Sequence, residues 1–96
     1  MNKLHFTWDV AKAAANVQKH GVSFEEAATV FADENARMKH DPDHSQDEDR
    51  FILLGLSTKL RMLVVCHAYR TGDDIIRIIS ARKATSNEHK WYGSHL

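Results

Sequence analysis

The sequence predicts a single α+β domain, with two N-terminal helices packed on an antiparallel sheet of three to four strands and a short C-terminal helix closing the chain. Three observations lead there. Capping signals followed by apolar residues at three- and four-residue spacing are confined to the first third of the chain. Runs rich in Val, Ile and Leu, separated by links of hairpin length, fill residues 50–80, and a second capping signature follows the last of them. Ninety-six residues, 43% hydrophobic and 27% charged, supply one core and no second, so residues 1–96 read as one domain.

Residues 4–8 alternate as a short edge strand, and Asp9 follows in N-cap position. Val10, Ala13, Ala14 and Val17 form one apolar stripe at i, i+3, i+4 and i+7, and Gly21 supplies a left-handed stop. Ser23 with Glu26 reads as a capping box opening a second helix, whose stripe is Phe24, Ala27, Ala28 and Phe31. Only Gly21 and Val22 join the two helices, so they meet as a hairpin or corner, and both stripes need a covering surface. The sheet provides it. Residues 35–39 form a weaker strand ahead of an acidic loop that holds the only proline, Pro42. Residues 50–56, 61–69 and 75–80 are the main strands, joined by Ser57 to Leu60 and by a turn containing Thr71, Gly72 and Asp73, which makes them antiparallel. Thr85 and Glu88 form a second capping box, opening a short helix with Trp91 and Tyr92.

Composition excludes several classes. The longest apolar runs are far shorter than the roughly 20 residues of a membrane span, and the first residues carry no secretory pattern, which predicts a cytoplasmic protein. Cys66 is the only cysteine, which rules out an internal disulfide and a cysteine-based zinc site and suits a small buried side chain. Nucleotide-binding glycine motifs, H-E-x-x-H and C-x-x-C are absent, so no cofactor is expected. His40 and His44 are four apart, but Pro42 between them breaks the helix that would aim both at one metal ion; they read as solvated loop residues, with His44 able to face a cleft. The net charge of zero conceals segregation, with −4 over residues 33–50 and +4 over residues 51–96.

Arginines punctuate the strands of the basic half. Arg77 shares a face with Ile75 and Ile79 and needs a partner there, either a carboxylate such as Glu88 or a bound phosphate. Arg61, Leu63, Val65 and His67 alternate onto one face, which predicts a basic, titratable patch. Arg82 and Lys83 stand where the last strand meets the last helix, beside free backbone donors. Cleaving RNA without a metal takes a base for the 2′-hydroxyl, an acid for the leaving 5′-oxygen and cations for the phosphorane. His67, Glu88 and Tyr92 are candidates for proton transfer, Arg77 and Arg82 for charge stabilisation, and Lys19, His20, Arg61 and Lys83 for RNA binding. Trp91 and Tyr92 suit helix-to-sheet packing better than base stacking.

Four sets of residues carry a family resemblance: Phe6, Trp8, Asp9 and Lys12; KHGVSFEEA from Lys19 to Ala27; DPDHS from Asp41 to Ser45 with Glu48 and Arg50; and IRIISARKA from Ile76 to Ala84. In this order they resemble BrnT-like toxins over nearly the whole chain. The resemblance implies a RelE-like fold and a ribonuclease toxin of a bacterial type II toxin–antitoxin pair, neutralised by a ribbon-helix-helix antitoxin. It also implies that the complex represses its own operon, so that operator DNA is met only through the antitoxin. Arg61, Arg77, Arg82, Glu88 and Tyr92 match positions where the family has those types. The leading expectation is therefore a metal-independent endoribonuclease that inhibits translation. The family's terminal helix is denser in basic residues, whereas here Ser86, Asn87 and His89 intervene and Lys90 remains. That departure favours a second reading, a non-catalytic antitoxin-binding subunit acting as co-repressor; a third is a poison of another target such as a topoisomerase. A core this small also predicts a tight protein complex.

Overall fold

The computed structural model describes residues 4–70 and 74–94. In chain order the elements are β1 (His5–Thr7), α1 (Val10–His20), α2 (Phe24–Thr29) running into a 3-10 turn at Val30–Ala32, and β2 (Arg37–His40). A 3-10 turn at Pro42–His44, β3 (Phe51–Leu56), β4 (Met62–Arg70), β5 (Ile75–Lys83) and α3 (Ser86–Gly93) follow. The expected turn at Thr71, Gly72 and Asp73 and the first three residues lie outside the described residues.

The caps form as the sequence predicts, with one exception. Asp9 Oδ1 accepts from the Lys12 N–H at 2.9 Å, and Gly21, at φ 69°, donates its N–H to the Val17 carbonyl. Thr85 and Glu88 close a full capping box. Ser23 accepts from the Glu26 N–H at 3.0 Å, but the Glu26 carboxylate does not return to the cap. It turns instead to Arg61 and Ser57, because a guanidinium satisfies a buried carboxylate better than one backbone N–H does.

The sheet has five strands in the order β1-β5-β4-β3-β2 and is mixed, which corrects the expected antiparallel sheet of three to four. β2 to β5 form an antiparallel meander, while β1 lies parallel to β5, with Phe6 opposite Ile76. No hairpin links β1 to β5; two helices and three strands lie between them in the chain, so no tight turn imposes an antiparallel sense. β5 also runs past its expected end at residue 80, because β4 offers a continuing ladder that pairs Val64 with Arg82 and Leu63 with Lys83.

Phe24, Ala27 and Val30 pack from the helical side on Leu53, Leu63, Val65, Ile76 and Ile78, forming the main core on one face of the sheet. The second helix thus buries its expected stripe. The first does not: Val10 and Val17 are 80% and 48% exposed, and Asn16 is buried. β1 pairs with β5 only as far as Arg77, so the outward backbone groups of Ala81 need other partners. The Asn16 side chain supplies them, donating to the Ala81 and Val22 carbonyls at 2.8 and 2.9 Å and accepting from the Ala81 N–H at 3.1 Å. On the opposite face α3 covers one end only, with Tyr92 packed on Leu54 and Val64. No helix among the described residues is long and apolar enough to cross a membrane.

Candidate active-site cleft

What α3 leaves uncovered on its face of the sheet is closed at the far side by the acidic loop, residues 41–50. Between them lies a cleft of about 240 Å³ lined by Asp41, His44, Arg50, Ile52, Val64, Cys66, Ile79, Ser80 and Arg82. His44 and Arg50 also line a second hollow of about 230 Å³, which adds Gln46, Asp47, Glu48 and Arg77.

The loop is tied at its neck. The Asp41 N–H donates to the Arg50 carbonyl at 2.8 Å, and Ser45 Oγ accepts from the Arg50 N–H at 2.9 Å while donating to the Asp41 carbonyl. Pro42 starts the 3-10 turn, where its missing N–H is no loss. That turn brings His44 Nδ1 to 2.9 Å from Asp41 Oδ2, with the imidazole 65% exposed and the carboxylate 17%. A carboxylate only accepts, so Nδ1 is the donor in this pair, and in the neutral imidazole Nε2 is the acceptor. His40 is likewise not simply solvated, since Asp49 lies 3.2 Å from its Nε2. Among the described residues no three His, Cys, Asp or Glu side chains come together as metal ligands.

Arg82 enters the cleft from β5 with its fork on Glu88, at 2.8 and 2.9 Å. Hydrogen bonds from Arg82, and then from the Thr85 backbone, hold the Glu88 carboxyl down at about 2. Arg77 does not pair with Glu88, contrary to that expectation. Five strand residues place Arg77 roughly 16 Å from Arg82, and Glu88 is anchored at the Thr85 cap, so it serves Arg82 alone. Arg77 Nη2 instead donates to Glu48 of the loop, whose carboxylate is also 3.8 Å from Arg50 Nε.

The remaining predicted site residues do not join these. His67 is 0% exposed; Leu63, Val65 and His67 do share a face, but it is the face the helices cover. Phe31, Phe51 and Tyr69 surround the imidazole, and burial pushes its pKa below the ordinary range. Tyr92 is 8% exposed, and its hydroxyl donates to Asp33 Oδ2 at 2.8 Å. Burial and that carboxylate raise its pKa. Arg61 clasps α2, with Nε 2.9 Å from Glu26 Oε2 and Nη2 3.1 Å from the Gly21 carbonyl. The Arg61 guanidinium holds Glu26 below the usual carboxylate range. Lys19 and His20 end α1 next to Gly21, on the helical side. Lys83 is exposed, one residue on from Arg82, and so points to the other face. Trp91 is covered by cations, with Arg37 at 4.4 Å and Lys39 at 5.6 Å from the ring centroid.

Residue-by-residue reasoning overlooked Asp41 with His44 as a pair, and Arg50 and Glu48 as members of the site. The signal was present in DPDHS with Glu48 and Arg50, which stood out in the sequence as a motif but without a chemical role.

The family model described as "Ribonuclease toxin, BrnT, of type II toxin-antitoxin system" matches residues 8–88. A crystal structure of the Brucella abortus ribonuclease toxin BrnT is similar in fold, with a TM-score of 0.62 and 23% identity, covering 88% of this chain and 100% of that chain. Comparison with curated proteins finds no match. With most of its length matched by the family model, the chain belongs to the BrnT family, the ribonuclease toxins of type II toxin–antitoxin systems.

Proposed function

We propose that the chain is a metal-independent endoribonuclease that inhibits translation, with the cleft between α3 and the acidic loop as its active site. The observation that carries this reading is that a carboxylate-oriented histidine, Asp41 with His44, and the Arg82 guanidinium line one cleft. In the reaction, His44 Nε2 takes the proton of the 2′-hydroxyl, the 2′-oxygen forms a bond to phosphorus, and the bond to the 5′-oxygen breaks. Water in the open cleft protonates the leaving oxygen. Arg82 stabilises the charge on the phosphorane; Arg77, roughly 16 Å away along β5, faces a different stretch of the RNA. Glu88, held at about 2, stays ionised at neutral pH; its role is to position the Arg82 fork. His67 and Tyr92 are left to packing by their burial.

The partner in this reading is a ribbon-helix-helix antitoxin that binds the operator on behalf of the complex, in the cytoplasm. A non-catalytic co-repressor subunit is the second reading, favoured by the pairing of Arg77 and Arg82 with carboxylates of the same chain. Cleavage of a labelled RNA by the purified chain in EDTA decides between them. Wild type should cut, and His44→Gln and Arg82→Ala should each lose about 100-fold or more with circular dichroism unchanged. A folded wild type that leaves free RNA whole points to the co-repressor subunit or to an enzyme that needs the ribosome, which cleavage of ribosome-bound RNA tells apart, and a His44→Gln protein cutting at the wild-type rate removes His44 from the chemistry.

A further inference from the structure

Glu48 lies between two guanidinium groups and leaves the Nε of each unpaired. It accepts from Arg77 Nη2 and stands 3.8 Å from Arg50 Nε, beyond hydrogen-bond distance. The Nε atoms of Arg50 and Arg77 are both buried with no hydrogen-bond partner among the described residues. Buried charged donors left unpaired are costly, and a carboxylate tethered to its own backbone cannot centre itself between two forks. A free phosphodiester can, setting one charged oxygen on each guanidinium. We propose that Arg50 and Arg77 form a phosphodiester subsite whose place Glu48 holds in the free protein.

The subsite is accessible and has room to open. The Arg50, Arg77 and Glu48 side chains keep 31%, 25% and 34% of their surface, and the hollow around them holds about 230 Å³. The neck of the loop is fastened at Asp41, Ser45 and Arg50, so only the segment between Ser45 and Arg50 must swing for Glu48 to leave. Because His44 and Arg50 line both hollows, a phosphate held here belongs to the same strand as one at Arg82, with His44 between them. Arg50 is then a substrate-binding residue, and entry of RNA exchanges an internal anion for an external one. The inference rests on RNA being the ligand, as proposed above.

The test is binding of a fluorescein-labelled 2′-O-methyl RNA octanucleotide to the full chain, followed by anisotropy over a range of KCl concentrations. The methylated hydroxyl cannot attack, so binding is read without cleavage. Glu48→Gln should bind about tenfold more tightly, and its log Kd against log salt should steepen by about 0.7, the increment for one more phosphate neutralised on a single strand by a cation that carried its own counterion. Arg50→Ala in that background should abolish both changes. Asp43→Asn removes an equal charge from the same loop, but Asp43 is exposed, lines neither hollow and makes no ion pair among the described residues, and the change should shift Kd less than about twofold. Equal tightening by Asp43→Asn would reduce the effect to bulk charge and overturn the subsite. So would unchanged affinity of a natively folded Glu48→Gln protein, or no probe binding by any of them. RNA left whole both free and on the ribosome while the Glu48 effect is present defeats the nuclease reading and keeps the subsite; RNA cut without that effect defeats the subsite alone.

Discussion

Glu88 and Tyr92 sit one helical turn apart on α3, and both carry groups able to move protons, yet the structure gives them different work. Glu88 is bound by Arg82 and the Thr85 backbone, whereas Tyr92 is driven into the space above Leu54 and Val64 and spends its hydroxyl on Asp33. Tyr92→Phe should therefore cut RNA at the wild-type rate and lose about 2 kcal/mol of stability, the net worth of one hydrogen bond to a charged acceptor. Urea unfolding run beside the cleavage assay reads both numbers. Residue type was visible in the sequence, but solvent access was not: His67 has the chemistry of a base, yet its ring is enclosed and its nitrogens meet the Val65 carbonyl and the Tyr69 hydroxyl. His44 shows the reverse, since its neighbour Pro42 marked it as a loop residue while its pairing with Asp41 depended on the local 3-10 turn.

At the scale of elements, caps and stops were well marked because they depend on residues two to four apart. Asp9, Gly21, Ser23 and Thr85 all mark helix ends as read. The rotation of α1 was not marked. Its apolar spacing pointed Val10 and Val17 inward, but the open edge of β5 beyond Arg77 turned Asn16 to the sheet, a requirement set by residues 65 positions away. Asn16→Ala should cost about 3 kcal/mol, since three backbone groups lose a buried partner at about 1 kcal/mol each. The expected result is a lower urea midpoint at unchanged m-value. A loss below about 0.5 kcal/mol would mean that water replaces the amide.

Across the whole molecule, charge couples stability to pH. Burial holds the His67 pKa below its ordinary 6.5, so the unfolded chain takes up that proton first. Its contribution is complete above about 6.5 and declines as pH falls below that value. Glu26, Asp33 and Glu88 are all depressed in the folded state; their contribution is complete above their ordinary values of 4.5, 3.8 and 4.5 and is lost as pH falls towards about 2, where Glu88 protonates in the folded state. Urea midpoints should thus fall gently below about pH 6.5 and steeply below about pH 4.5, with the gentle phase missing from His67→Phe. A flat profile down to about pH 3 would show that these ion pairs do not distinguish the folded from the unfolded chain. The charge segregation read from the sequence has a structural counterpart here, because the acidic loop supplies the carboxylate that meets two of the chain's arginines.

The sequence by itself determined the α+β class, the order of elements, the starts of all three helices, the end of the first, and the motif residues that place the chain in its family. These rest on interactions within a few residues, and local patterns carry them. Only the tertiary structure decided that β1 lies parallel at the far edge, that His67 and Tyr92 are enclosed, and that Arg77 meets Glu48 while Arg82 meets Glu88. Each of those depends on which face of the sheet the helices cover and on partners far away along the chain. Side-chain alternation defines two faces but does not say which of them remains open to solvent.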